Sequence, residues 1–474
     1  MSSDTAEPAI AQHTTDVVVA ASPVAPRVCA DVERAAAVRD VWRALWTSRL
    51  LVWIAGAGVV STLGFGPVRH AFNPPGITRG FGALGDVLAA PAARWDGAWY
   101  LVIAHYGYRP DLGALTASRT AFFPLYPLGV RGLADLGLAP VIAAVVLSIA
   151  ALAAGLYGLH RLTTLEVARL QLPGGGEVAR LTVLLSAFAP MAFYFSAVYS
   201  ESLYLALSVG VFLCARRGRW ASAATLGALA SATRSTGVLL IFPVVLLYLY
   251  GPRADRDPDR APDGRRMVGE GLTVPSLLRA LRPRYRVRRD ALWLALAPAG
   301  LALYMTHLAL AGGDALAPFH AEAVWNRHFA GPYGGIGDGA RAAFDGLRQL
   351  LSFQPHHLYF RAPGGSPFID AGHNLLLFAF LLVAIPAVIG VLRLLPPPYG
   401  LYVLAALALP LSYPVASQPL MSLPRFLVVL FPLTMWFAAR LASLPRALTR
   451  AVLVASGLGM AFFVGEFATW HWVA

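Results

Sequence analysis

The sequence predicts an all-α polytopic membrane protein, and three observations support that prediction. Of its 474 residues, 57% are hydrophobic and only 13% are charged, about half the charged fraction of an average soluble protein. Apolar runs of about 15–22 residues recur along the whole length, as helices that span a bilayer require. The net charge of +13 comes entirely from Arg. Because the arginines cluster in the connections between apolar runs, they favour a lipid bilayer, and no nucleic acid, as the partner.

The apolar runs predict about eleven transmembrane helices. In chain order they are expected at roughly 49–68, 138–158, 180–198, 202–215, 220–233, 236–251, 291–311, 373–394, 399–417, 423–441 and 450–468.

The segment before the first apolar run is rich in Ala, Val, Pro and Thr and has no basic start ahead of its weakly apolar VVVAA. It is therefore interpreted as a disordered cytoplasmic tail, residues 1–45, rather than as a cleaved signal. Residues 46–474 form the predicted transmembrane domain. The two cysteines, Cys29 and Cys214, match no metal or redox spacing.

The arginine distribution predicts the orientation of these helices. The connection 252–290 contains eleven Arg, and ARRGR at 215–219 is a second basic turn. The longer connection 312–372 contains four. The positive-inside rule then predicts a cytoplasmic N-terminus, a cytoplasmic Arg-rich loop at 252–290, and two outer connections at 69–137 and 312–372.

Polar motifs gather on the predicted outer face. RWDGAWYLVIAHYGY (94–108) holds one carboxylate, Asp96, among aromatic residues. A carboxylate at the membrane edge is costly and suggests function, although Asp96 could instead cap the following helix. Four more motifs are expected on the same face, which indicates one site: AFFPLYP (121–127), APMAFYFSAVYSES (189–202), ATRSTG (232–237) and SLPRF (422–426).

The ordered set of motifs resembles the PIG-V type mannosyltransferases, which add the second mannose of the GPI anchor in eukaryotes and have bacterial relatives. The resemblance extends from about residue 49 to the last span. It departs in RSTG, where the family has an RSNG-like turn, and in the long stretch before AFFP. It implies a glycosyltransferase C-like fold and a lipid-phosphate sugar donor used on the non-cytoplasmic side.

The resemblance also implies roles for individual residues. Asp96 matches the acid of the family's WD motif and would be the catalytic base. Asp111, after GY, and Glu201, in YSES, are candidates for a second acid. Arg234 and Arg425 would bind the donor phosphate, since the planar guanidinium suits phosphate. For Arg234, a snorkelling turn residue is the alternative.

The connection 312–372 carries FHAEAVWNRHF, and this segment predicts acceptor binding. Trp325 could stack on a sugar while Asn326 and Arg327 bind its hydroxyl groups. The alternative is an interfacial helix whose aromatic residues lie among lipid head groups. No spacing predicts a metal site or a cofactor.

The resemblance implies a mannosyltransferase that moves mannose from a polyprenyl-phosphate donor to an extracytoplasmic glycolipid or glycan by inverting single displacement. Arabinose or another lipid-linked pentose remains an alternative sugar. The all-Arg, Ala-rich composition favours a bacterial plasma membrane. The alternative function is a lipid or lipid-linked glycan transporter, although no internal repeat typical of transporters is recognisable.

Overall fold

The computed structural model describes residues 24–66, 72–79, 81–108, 118–259, 282–354, 366–416 and 418–473. Within these ranges the ordered elements are helices, and one isolated backbone bridge joins Arg327 to Val415. The α-helices are α1 (Val24–Leu63), α2 (Pro75–Thr78), α3 (Gly82–Ala89), α4 (Gly97–Tyr106), α5 (Leu125–Asp135), α6 (Pro140–Leu170), α7 (Gly175–Phe188), α8 (Glu201–Arg216), α9 (Trp220–Ser231), α10 (Ile241–Tyr250), α11 (Ala299–Gly312), α12 (Ala317–Val324), α13 (Gly335–Ser352), α14 (Pro367–Leu394), α15 (Pro397–Ser412), α16 (Leu423–Val428), α17 (Phe431–Ala442) and α18 (Arg446–Ala468). Short 3₁₀ helices occupy Ala90–Ala93, Ala192–Ser196, Ser235–Leu240 and Arg289–Leu296.

Four described helices are long and apolar enough to cross a membrane: Asp31–Leu63 within α1, and α6, α14 and α18. The 3₁₀ helix Arg289–Leu296 and α11 qualify together as a fifth, although they are bent by 42°. The described residues therefore confirm a helical fold with apolar spans, consistent with a membrane protein. Eleven spans and a cytoplasmic N-terminus remain predictions.

The predicted disordered tail is too long, because the chain is helical from Val24 onward. In this helix Ala37, Val41 and Ala44 are buried, and Asp40 lies 3.7 Å from the imidazole of His160 on α6. Packing against the neighbouring helices stabilises a segment whose composition alone suggested a tail.

The predicted span 180–198 ends early, since α7 stops at Phe188. Pro190 cannot continue the helix, and Arg49 of α1 stabilises the break. Its fully buried guanidinium donates hydrogen bonds to the carbonyls of Ala187 and Ala192 at 2.9 and 2.8 Å, and to Ser196 Oγ at 3.0 Å. The side chain of Arg49 thus satisfies backbone groups that a continuous helix would have paired internally.

Two further predicted spans are also interrupted. The span 399–417 ends at Ser412, and the span 423–441 is divided into α16 and α17, with Pro432 at the start of the second helix. The irregular connection 413–422 between α15 and α16 lines the cavity described below. Hydropathy predicts apolar segments here and cannot reveal that they leave the helix.

A buried ion pair connects α6, α8 and α15. Glu166 of α6 is fully buried and contacts the guanidinium of Arg216 of α8, while the Tyr399 hydroxyl of α15 donates to Glu166 Oε1 at 2.8 Å. Gly155 lets α6 approach α8, because a Cβ there would lie 3.3 Å from the backbone of Ala206.

Candidate active site

Asp96 lies at a sharp turn between the 3₁₀ helix Ala90–Ala93 and α4. The preceding residue, Trp95, has a left-handed backbone with φ of 54°, a conformation that is rare outside glycine and often marks functional turns. Tyr199 holds this turn: its hydroxyl donates to the Arg94 carbonyl at 3.2 Å and accepts from the Asp96 N–H at 3.1 Å. The Asp96 side chain makes no capping hydrogen bond, so the structure contradicts the capping interpretation.

The carboxylate of Asp96 instead faces Arg425. Arg425 Nη1 lies 2.5 Å from Asp96 Oδ2. The Nε atom of the same guanidinium lies 3.0 Å from Glu201 Oε1. This contact is an ion pair and not a hydrogen bond, because the Nε–H has no aligned hydrogen-bond acceptor. Asp96 and Arg425 keep 15% and 12% of their side-chain surface exposed, so both can be reached from the cavity.

Glu201 joins the two arginines. Its Oε1 also accepts a hydrogen bond from Arg234 Nη1 at 2.8 Å, while its Oε2 has no hydrogen-bond partner. The Glu201 side chain is only 1% exposed. Two carboxylates and two guanidiniums from four separate segments therefore form one cluster of balanced formal charge. A buried carboxylate between two cations holds them in place and prevents their mutual repulsion from separating them.

The turn that carries Arg234 depends on the glycine of ATRSTG. A Cβ on Gly237 would lie 2.0 Å from the Ala230 carbonyl, so only glycine lets this turn pack on the end of α9. Arg234 itself stacks over the rings of Phe426 and Tyr204, at 5.3 and 5.9 Å. This contact favours a fixed cation over a snorkelling side chain.

The cluster opens onto a large cavity of about 2010 Å³. Asp96, Arg234 and Arg425 line this cavity, whereas Glu201 is not among its lining residues. Glu201 therefore lies behind the two arginines. This position suits a residue that orients the arginines better than one that exchanges protons with a substrate.

Aromatic side chains form much of the cavity wall. The Trp99 ring stacks on Phe72 at 4.2 Å and meets Trp325 edge-on at 6.2 Å. Beside them, the Tyr100 hydroxyl is 3.0 Å from Ser200 Oγ. Burial, reinforced by the charge of Glu201, raises the pKa of Tyr100 to about 12, so its hydroxyl remains protonated at neutral pH.

The predicted acceptor residues line the same cavity. Trp325 follows α12, and its indole Nε1 has no hydrogen-bond partner. Asn326 has a left-handed backbone with φ of 56° and an exposed side chain. Arg327 donates to the Tyr413 carbonyl at 2.9 Å and lies 3.3 Å from Glu322, so it also fastens α12 to the connection 413–422.

Asp111 lies outside the described residues, and its predicted role stays a prediction. Among the described residues, no group of three or more His, Cys, Asp or Glu side chains is placed to hold a metal ion. Sequence reasoning missed Tyr199, although it stands two residues before Glu201 in the same motif. It also missed Gln418 and His373, which line the cavity and belong to no recognisable motif.

A helical membrane chain with a carboxylate and two arginines on the wall of one aromatic cavity fits the class of membrane-embedded glycosyltransferases. Residues 70–247 match the family described as Mannosyltransferase (PIG-V), which confirms the predicted resemblance over that part of the chain, and this match supports a mannosyltransferase activity. The match includes Asp96, Glu201 and Arg234 but ends before Trp325 and Arg425. No curated protein and no solved structure matches the chain.

Proposed function

We propose that this protein transfers mannose from a polyprenyl-phosphate donor to an extracytoplasmic glycolipid or glycan. In the proposal, the site faces the outside of a bacterial plasma membrane and the N-terminus lies in the cytoplasm, with about eleven spans. The observation that supports the transfer chemistry is the contact between Asp96 and Arg425 on the cavity wall. In the proposal, Asp96 is the proton acceptor and Arg425 is the cation that holds the leaving phosphate.

The proposed reaction is a single displacement. An acceptor hydroxyl oxygen attacks C1 of the mannosyl group while the bond from C1 to the phosphate oxygen breaks. Asp96 takes the hydroxyl proton, and the electron pair of the broken bond leaves with the polyprenyl phosphate. Because the nucleophile enters opposite the leaving group, the configuration at C1 inverts, and no sugar–enzyme bond forms.

Arg425 and Arg234 serve the departing phosphate in this proposal. Negative charge grows on the phosphate as the bond breaks, and guanidiniums fixed beforehand stabilise it without reorganisation. Glu201 keeps both guanidiniums at the cavity wall through its Oε1. Arg425 is paired with Asp96 in the structure; in the proposal, donor binding competes for Arg425 and releases the carboxylate for the acceptor hydroxyl.

The experiment is donor turnover by purified protein in detergent, where no transport can occur. Mannosyl-labelled polyprenyl phosphate is incubated with extracts of bacterial lipids and glycans as acceptors. Transfer of label by the wild type, and its loss in Asp96→Asn, is the expected result. A transporter would leave the donor intact, so absence of turnover with every acceptor fraction contradicts the proposal.

A further inference from the structure

A second polar group lines the cavity on segments separate from the acid–arginine cluster. Gln418 lies in the connection 413–422, and His373 lies in the second turn of α14. Gln418 Nε2 is 3.3 Å from His373 Nδ1. Gln418 is 6% exposed, so its amide is almost withdrawn from solvent while it still contributes to the cavity wall.

Each member of this pair has an unused polar atom. Gln418 Oε1 and His373 Nε2 are both buried, and neither has a partner within hydrogen-bond geometry; the backbone of Val473 is an alternative partner for the His373 imidazole. Buried amide and imidazole groups are nearly always satisfied in native proteins. An unsatisfied pair on a cavity wall therefore points to a ligand that completes it.

The hydrogen-bond pattern identifies the chemistry of that ligand. With the Gln418 amide N–H donating to His373 Nδ1, the neutral imidazole carries its proton on Nε2. The pair then presents one acceptor, Gln418 Oε1, and one donor, the His373 Nε2–H. The phosphodiester of a lipid-linked sugar offers only acceptors and would be repelled by the amide oxygen. Hydroxyl groups both donate and accept, and so match both atoms.

We propose that Gln418 and His373 form a subsite that binds hydroxyl groups of a neutral hexose. The aromatic wall around Trp99 and Trp325 faces the same cavity and gives the sugar ring a surface to stack on. The hexose could be the mannosyl group of the donor or a sugar of the acceptor. Only the naming of mannose as this hexose rests on the proposed function.

The first test measures sugar binding without any transfer. Protein in lipid nanodiscs is titrated with methyl α-mannoside, and binding is followed by saturation-transfer-difference NMR. Gln418→Ala and His373→Ala should each raise the dissociation constant roughly tenfold, the loss expected for one net hydrogen bond. Dissociation constants within twofold of the wild type in both variants, or no saturable binding by the wild type, would overturn the proposal.

The matched control is Gln349→Ala. Gln349 of α13 is also buried, its Nε2 also has no partner, and it is not among the cavity-lining residues. This variant should bind the mannoside as the wild type does. Thermal unfolding of all three variants separates loss of the subsite from loss of folding. A Gln349→Ala effect equal to that of Gln418→Ala would overturn the assignment.

Two further measurements are needed. The first decides whether the hexose belongs to the donor or to the acceptor, and the second distinguishes failure of the subsite from failure of the proposed function. If Gln418→Ala raises the KM for the lipid donor more than that for the acceptor, the subsite holds the donor's sugar; the reverse result assigns it to the acceptor. Inorganic phosphate binding, followed by ³¹P line broadening, should be unchanged in Gln418→Ala and weakened in Arg425→Ala. Mannoside binding that needs Gln418, in a protein with no transferase activity, would support the subsite and contradict the proposed function.

Discussion

The carboxylate of Asp96 and the guanidinium of Arg425 are 2.5 Å apart, although 329 residues separate them in the chain. This contact couples the proposed base to the proposed phosphate ligand. A variant of either residue therefore disturbs both partners, and the two roles must be separated by measuring donor and acceptor kinetics independently.

Arg425→Ala is expected to weaken use of the lipid donor by about ten- to a hundredfold, because one charge-assisted contact contributes roughly 1.5–3 kcal/mol. Arg425→Lys should recover only part of this loss, since a lysine lacks the planar fork that can meet a phosphate and Asp96 together. The measurement is kcat/KM for the donor at a fixed acceptor concentration. Activity of Arg425→Ala within twofold of the wild type would remove Arg425 from the site.

Arg216→Ala is the matched control for Arg425→Ala. Arg216 is another buried arginine paired with a glutamate, Glu166, and it is not among the residues that line the cavity. We expect it to lower the thermal stability without a selective effect on donor KM.

Glu201→Gln tests whether Glu201 orients the two arginines. Glutamine has no negative charge, so Arg234 and Arg425 lose the carboxylate that they share. Their positions at the cavity wall then become less fixed. The donor KM should rise about tenfold, on the order of one charged hydrogen bond, while the acceptor KM stays near the wild-type value. Steady-state kinetics with each substrate varied in turn gives both constants.

Glu166→Gln provides the comparison for Glu201→Gln, because Glu166 is equally buried and also bridges arginines. It should reduce stability and leave the ratio of the two KM values unchanged. If Glu201→Gln behaves in the same way, its role is structural only. If Glu201→Gln abolishes kcat at saturating donor and acceptor, the second-acid interpretation gains support instead.

Trp325→Ala is expected to raise the apparent KM for the acceptor more than that for the donor. The Trp325 indole borders the cavity and meets Trp99 and Phe122 edge-on, at 6.2 and 6.1 Å, so its loss removes a surface on which a sugar could stack. Equal effects on both substrates would favour a side chain that only anchors α12 at the membrane interface.

The orientation of the chain can be tested with reporter fusions. A reporter inserted near residue 264, in the connection with eleven arginines, should report cytoplasm; one near residue 335, in the connection with four, should report the outside. If both report the same side, the single crossing assigned to 291–311 is wrong. If both report the cytoplasm, the cavity residues of 312–372 are not extracytoplasmic and the proposed outer site is contradicted.

The sequence predicted the features that depend on local composition and motif order. High hydropathy identified the helical membrane architecture, and the motifs led to the family. The motifs also indicated Asp96, Glu201, Arg234 and Arg425 as members of one site, and these side chains form one cluster in the structure. Four separate polar motifs on one expected face are informative because an apolar environment tolerates few polar side chains without a reason.

The features that the sequence could not predict depend on tertiary contacts. Pro190 marks the early end of α7 in the sequence, but the hydrogen bonds that Arg49 donates to the segment around it come from 138 to 147 residues away. The buried positions of α1 at Ala37, Val41 and Ala44 depend on contacts with other parts of the fold. The Gln418–His373 pair joins residues 45 positions apart, and neither stands in a motif. Periodicity and hydropathy are local quantities and carry no information about such partners.

The most direct test of the central claim is the transfer activity of Asp96→Asn. Asparagine keeps the shape of the side chain but cannot accept the hydroxyl proton, so transfer should fall by roughly 10²–10⁴-fold while the protein stays folded and inserted. Asp96→Glu should recover little, because the longer side chain moves the carboxylate oxygen away from the acceptor hydroxyl and from Arg425. Asp111→Asn serves as the comparison and should cost less activity than Asp96→Asn.

The measurement is the rate of label transfer from mannosyl-labelled polyprenyl phosphate by purified wild type, Asp96→Asn and Asp111→Asn at matched protein concentration. A larger loss of transfer in Asp96→Asn than in Asp111→Asn, with thermal unfolding unchanged, is the result expected for the catalytic base. An active Asp96→Asn protein, or a larger loss in Asp111→Asn, would contradict that assignment.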